Sequence, residues 1–227
     1  MMFKAFGVHI YKNCANFISL LGMAPVCLLF YDGGFQFIVP FIIYNNIMDD
    51  LDGMIAKKLG IRNQFGANVD NICDAVAHSA IVIAVGTHFG GVLIVFSLVA
   101  AFSIVLRTAN RIEPNSIAGE GSQTNELLRH AMFILLIGEM VELNVVPVLA
   151  VIFLMNSISM LLPIRLPFMF AHYAKTPASM AWFNISLMLA YWVQPLTYLI
   201  GAAFFITYIY SFSKALIDMA VKERVLS

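Results

Sequence analysis

The stretch Asp49-Asp50-Leu51-Asp52-Gly53-Met54-Ile55-Ala56-Lys57, followed by Gly66 and by Asp70-Asn71-Ile72-Cys73-Asp74, decides how this chain is read. Five of the thirteen acidic residues fall between positions 49 and 74, with long apolar sequence on both sides. An ionisable side chain at membrane depth is costly and marks function more often than packing. Neighbouring carboxylates also repel one another unless a cation neutralises them. The segment therefore reads as a metal site at a membrane surface.

The flanks set the fold class. The 227 residues are 61% hydrophobic and 11% charged, with mean hydropathy +0.86, whereas an ordinary soluble domain is roughly 25% charged and about 45–50% apolar. Crossing the hydrocarbon takes about 20 apolar residues. Hydropathy and helix breakers predict spans over 14–31, 35–57, 68–88, 91–111, 126–141, 144–163, 178–192 and 195–216. The expected fold is all-α, a polytopic transmembrane helical bundle of six to eight spans forming a single membrane domain over 1–227. Residues 1–13, with Phe3, Phe6, Val8 and Ile10 beside Lys4, His9 and Lys12, read as an N-terminal interfacial amphipathic helix. Spans one to four, 14–111, carry the acidic motif of 49–74 and are the expected catalytic part. The remaining spans occupy 126–216.

Other features exclude alternatives. The formal net charge is zero, so nothing argues for nucleic acid. Cys14, Cys27 and Cys73 lie in apolar segments without metal-ligand spacing and read as small buried hydrophobes. No A-x-A-like site follows the first apolar stretch, so a cleaved signal peptide is not expected.

With the N-terminus inside and eight alternating spans, all thirteen Lys and Arg residues fall on the cytoplasmic side, including Lys57, Lys58, Arg62, Arg107, Arg111, Arg129, Arg165, Lys175 and Lys214. The outer connections near 32–34, 88–91, 139–144 and 193–195 contain none. The expectation is a multi-pass integral membrane protein of a plasma membrane, prokaryotic in type. Both termini and the acidic cluster face the cytoplasm, and the longest cytoplasmic loop is 113–125.

A helix turns about 100° per residue, so side chains three or four apart share a face. Asp49 pairs with Asp52, and Asp70 with Asp74; two antiparallel helices joined by 58–65 can aim both pairs at one point. Asp50 lies about 100° away from Asp49 and points to solvent or a neighbouring group. Four oxygen donors without His or Cys select a hard cation, Mg²⁺ or Mn²⁺, and two such ions suit a diphosphate. Gly53, Gly66 and Ala56 allow close approach of a substrate or a neighbouring helix.

These residues resemble the signature of the CDP-alcohol phosphotransferase (CDP-alcohol phosphatidyltransferase) family, D-x-x-D-G-x-x-A-R-x8-G-x-x-x-D-x-x-x-D. Asp49, Asp52, Gly53, Ala56, Gly66, Asp70 and Asp74 match it in register, and Lys57 stands where the family has Arg. The resemblance implies transfer of a phosphatidyl group from CDP-diacylglycerol to a small polar alcohol, with release of CMP, in phospholipid biosynthesis. It implies that Asp49, Asp52 and Asp70 hold the metals and the diphosphate. Asp74 joins the metal site and serves as catalytic base on the acceptor hydroxyl. Gly53, Ala56, Lys57 and Gly66 line the nucleotide site. Asn16 and Ser19 resemble an Asn-x-x-Thr often found in the family's first span and join the nucleotide-binding set; helix–helix hydrogen bonding is their alternative. Family members often form homodimers.

The acceptor side is read from span four. Arg107-Thr108-Ala109-Asn110-Arg111 resembles the Arg-x-Ala-Arg-Phe-Asn stretch of phosphatidylserine synthases, which makes L-serine the leading acceptor, with choline, inositol or its phosphate, and glycerol 3-phosphate open. Arg107, Arg111 and Arg129 could bind an acceptor's phosphate or carboxylate, or anchor to lipid head groups. His130 is a further acceptor-site candidate, Thr124 or Asn125 a candidate helix cap, and His78 a packed polar contact. Two remote readings remain. An intramembrane prenyltransferase would need N-D-x-x-D-x-x-x-D and a separate D-x-x-x-D far along the chain, whereas the two aspartate groups here are only about 18 residues apart. A divalent-cation transporter would need carboxylates at the bilayer midplane.

Overall fold

The computed structural model describes residues 2–112, 123–162 and 176–226, with the backbone alone for 2–10, 12 and 222–226. The 113–122 part of the expected cytoplasmic loop, together with Arg165, His172 and Lys175, lies outside these residues. Every regular element among the described residues is helical: α1 (Met2–Met23), α2 (Ile38–Lys58), α3 (Gln64–Phe89), α4 (Val92–Ile112), α5 (Gln123–Met140), α6 (Val146–Leu161), α7 (Pro177–Trp192) and α8 (Gln194–Leu226).

Polarity is distributed as a bilayer requires. Large apolar side chains such as Phe17, Val95, Phe102 and Leu199 are exposed, while Asn45, Asn46, His78, Ser97 and Asn156 are buried. Outward apolar surface faces lipid, and the polar groups find partners inside. Helix α4 shows why: Leu93, Ser97, Ala100, Ala101, Ile104 and Arg107, three or four apart, form its buried stripe. Four stretches, Asn13–Phe30, Gln64–Phe89, Val92–Ile112 and Gln194–Val221, are long and apolar enough to cross a membrane, and Val146–Leu161 is a shorter apolar helix.

Two boundaries differ from the sequence reading. The interfacial helix and first span were expected to divide after residue 13, whereas α1 runs unbroken from Met2 to Met23. The α-helix then stops, and Ala24–Phe30 continues as a 3₁₀ helix with Pro25 in its first turn. Proline lacks an N–H and its ring crowds the carbonyl one turn back, so the α ladder ends there. At the other terminus α8 continues to Leu226, ten residues past the expected end.

Helices α1, α2 and α3 pack against one another, α3 lies along α4, and α4 along α6. Helix α5 contacts α2, α3, α6 and α8. Tight turns make this possible. Gly90 and Gly91, with φ +70° and +55°, turn α3 directly into α4. Below that turn the helices meet closely: a Cβ on Gly86 would lie 2.0 Å from Ser97 Oγ. Gly86→Leu is expected to destabilise the bundle by about 1–3 kcal/mol through overpacking, measured as a lowered thermal unfolding midpoint in detergent, with the neighbouring exposed Val95→Leu unchanged.

Candidate metal centre and adjoining cavity

The turn between α2 and α3 fixes the geometry of the acidic motif. Helix α2 ends with Ile61 N–H bonded to Ala56 O at 3.1 Å and Gly60 N–H to Lys57 O at 3.3 Å. Gly60 has φ +64°, so this is a Schellman ending in which glycine relieves the strain of the left-handed residue. Two residues on, Asn63 Oδ1 accepts the Gly66 N–H at 2.8 Å and caps α3. The connection thus falls within the expected 58–65 and leaves the two acidic helix ends side by side.

One carboxylate oxygen from each of Asp49, Asp70 and Asp74 lies within 4.8 Å of the others. Three converging oxygens and no nitrogen or sulfur donor fit a hard divalent cation. Asp52 adjoins this trio, its carboxyl within hydrogen-bonding reach of that of Asp70. It is buried, accepts a 2.5 Å hydrogen bond from Ser19 Oγ of α1, and neighbours Asp49 and Asp70 closely enough for the charges to interact. Asp52 and Asp70 also line one cavity of about 340 Å³, within the range of about 300–1,000 Å³ usual for ligand pockets.

That cavity also gathers Asn16, Ser19, Gly53, Ala56 and Gly66 from α1, α2 and α3. A Cβ on Gly66 would press on Asn16 Oδ1 at 3.0 Å, so glycine permits α1 to approach. Nothing lies within 4 Å of the Cβ position of Gly53, and its absent side chain leaves cavity space. Lys57 is exposed and is not part of the wall; Arg62 is, with Nη2 donating to Gly53 O at 3.4 Å.

The other face of α2 is tied to α5 and α7 by polar bonds. Asn125 Nδ2 donates to Asp49 Oδ2 at 2.8 Å. Asn184 Nδ2 donates to Asp50 Oδ2 at 2.6 Å, and Asn184 Oδ1 accepts from Asn46 Nδ2 at 2.7 Å. Asn46 Oδ1 accepts from Arg129 Nε at 3.0 Å and Nη2 at 2.5 Å. Arg129 Nη1 pairs with Glu126 Oε1 at 2.9 Å, and its guanidinium lies 4.6 Å from the Phe183 ring centre. His78 Nε2 bonds Asn45 Oδ1 at 2.7 Å, the packed contact expected of it.

The acceptor-side candidates are distributed over several settings. Arg107 is buried in α4, and exposed Arg111, one turn on, is close enough for its charge to act on Asp70 and Asp74. Arg129 is engaged by Glu126 and Asn46. His130 is buried with its ring 4.6 Å from Tyr208 and 5.1 Å from Phe205. Thr124 and Asn125 fall inside the first turn of α5 and do not precede it, so neither is its cap; Asn125 bonds across to Asp49. Sequence reasoning passed over Asn184, Asn46 and Arg62. For the two asparagines a signal existed, an amide in an otherwise apolar span; for Arg62 it was hidden among the positive-inside charges.

Fold and site together define a polytopic membrane protein with an acidic, cavity-bearing junction of helix ends. A family model for CDP-alcohol phosphatidyltransferase matches residues 12–155, and the chain belongs to that family of transferases. Among curated proteins, the phosphatidylinositol phosphate synthase of Cutibacterium acnes (strain DSM 16379 / KPA171202) is 29% identical over 84 residues, 37% of this chain. The chain spans 41% of that relative's length. The family match ends before α7, so Asn184 and its bond to Asp50 lie beyond it.

Removing Asn184 leaves a half-buried carboxylate without its donor. Asn184→Leu is expected to lower unfolding stability by about 1–3 kcal/mol, and adding Asp50→Asn to recover part of the loss, read in a double-mutant cycle by denaturant or thermal melts.

Proposed function

We propose that the protein transfers a phosphatidyl group from CDP-diacylglycerol to the hydroxyl of a small polar alcohol and releases CMP. The observation that carries this reading is the convergence of Asp49, Asp70 and Asp74 oxygens within 4.8 Å, beside a cavity walled by Asp52 and small residues. A divalent ion, Mg²⁺ or Mn²⁺, held there would supply the positive charge that a diphosphate and its leaving group require. The protein's own groups do the rest. The acceptor oxygen attacks the lipid-bearing phosphorus, the bond to CMP breaks, and Asp74 takes the hydroxyl proton. Asp52, fixed by Ser19, holds its rotamer toward the cavity. Asn16, Gly53, Ala56 and Gly66 give the nucleotide its room.

The sorting of Lys and Arg supports a cytoplasmic position for this chemistry, where soluble nucleotide is released. On the acceptor, L-serine rests on the 107–111 stretch. The name of the Cutibacterium relative, a phosphatidylinositol phosphate synthase, supports inositol phosphate as the competing choice. Incubating the purified protein with CDP-diacylglycerol, Mn²⁺ and each alcohol in turn, then identifying the lipid formed, decides between them.

Asp70→Asn and Asp74→Asn are each expected to cut CMP release by about 100-fold or more while circular dichroism stays native; turnover near wild type in either would remove the assignment. EDTA should silence the enzyme, with Mg²⁺ or Mn²⁺ restoring it. Gly53→Leu places a side chain in open cavity space, so CMP release should fall while the melting midpoint holds.

A further inference from the structure

The cavity has a charge problem that the family signature does not solve in this chain. Asp52 and Asp70 make its wall acidic, yet the diphosphate proposed to enter it is itself an anion. The signature's arginine is replaced by Lys57, and of the two exposed cations Lys57 and Arg62 only Arg62 lines the wall. Among the described residues, the one cationic side chain lining the cavity is Arg62.

Its placement is built by the backbone. Gly60, in the left-handed conformation, turns the chain off α2, and Asn63 caps α3. Arg62 is thus held between two fixed points. From there Nη2 reaches back to the carbonyl of Gly53, at the long distance of 3.4 Å. A guanidinium has five donors in a planar fork, and a single long bond to one carbonyl leaves the fork able to turn onto a phosphate. Gly53 and Gly66, both without side chains, line the same cavity as Arg62, Asp52 and Asp70. A lysine at position 57 has neither the fork nor the position.

We propose that Arg62, and not Lys57, is the side chain that clamps the diphosphate of a cytidine-diphosphate-linked substrate in this cavity. The assignment rests on the phosphatidyl-transfer reading above and adds a residue outside the family signature. Arg62 lies five positions beyond Lys57, in the loop after α2, and there it lines the cavity that Lys57 does not reach.

The test uses the full chain in detergent micelles with Mg²⁺ and compares equilibrium binding of CDP, CMP and cytidine by calorimetry. Arg62→Ala should weaken CDP by about tenfold or more, the loss expected for a charge-assisted bond, while cytidine changes less than about twofold, so that the preference for CDP over cytidine collapses. Arg62→Lys should recover part of that preference, and it keeps the question open to measurement if Arg62→Ala folds poorly. Lys57→Ala should leave CDP affinity within about twofold of wild type. A wild-type CDP affinity in Arg62→Ala, equal weakening of CDP and cytidine, or the larger loss in Lys57→Ala would each overturn the assignment alone. Failure of the wild-type protein to bind CDP at all would overturn both it and the phosphotransferase reading.

Discussion

Mutual repulsion among carboxylates at the ends of two packed helices is the constraint around which this protein is organised. Asp49, Asp70 and Asp74 bring oxygens within 4.8 Å of one another in surroundings of low polarity, where like charges interact more strongly than in water. Such an arrangement persists only if cations and hydrogen-bond donors are supplied to it. The bundle supplies the donors from helices distant in sequence: Ser19 of α1 to Asp52, Asn125 of α5 to Asp49, and Asn184 of α7 to Asp50. The remaining negative potential is what a divalent ion would neutralise, which couples the occupancy of the site to the integrity of the bundle.

One of these donors, Asn184, ties α7, which follows the family-matched region, to α2. Asn184 connects Asp50 to Asn46, and Asn46 carries the chain of bonds on to Arg129 and Glu126. This network crosses α2, α5 and α7, and within it Arg129 has both an anion and an aromatic face. In lipid such bonds specify which helix faces meet, because apolar contact alone discriminates poorly between neighbours. Helices α5 and α7 therefore hold α2 from behind while α1 and α3 enclose the cavity in front.

Glycine governs the front. The Gly60 turn returns the chain at the angle that sets α3 beside α2, Gly66 lets α1 close in, and Gly53 keeps the space empty. Each has a different physical reason: positive φ at the first, contact with Asn16 Oδ1 at the second, and an open cavity at the third. Among the described residues, Arg62 is the one cationic side chain on the wall so formed, beside the acidic Asp52 and Asp70.

Much of this was legible in the chain itself. Apolar run lengths gave six of the eight expected spans as helices to within a few residues at both ends, because hydrocarbon thickness fixes length and glycine or proline fixes ends. The period of an α-helix put Asp70 one turn from Asp74 and pointed Asp50 elsewhere. Pro25, though visible in the sequence, was read as lying inside a span, and its effect on the α ladder appeared only in the backbone. What tertiary structure alone decided is which distant residue meets which carboxylate. Asp52 met Ser19 across 33 positions, and Asn184 found Asp50 across 134 positions. Arg62, in place of Lys57, came to overlook the cavity. Spacing along one helix is a local property that the sequence carries directly; the pairing of polar groups between helices depends on how whole faces pack, and no local pattern encodes that.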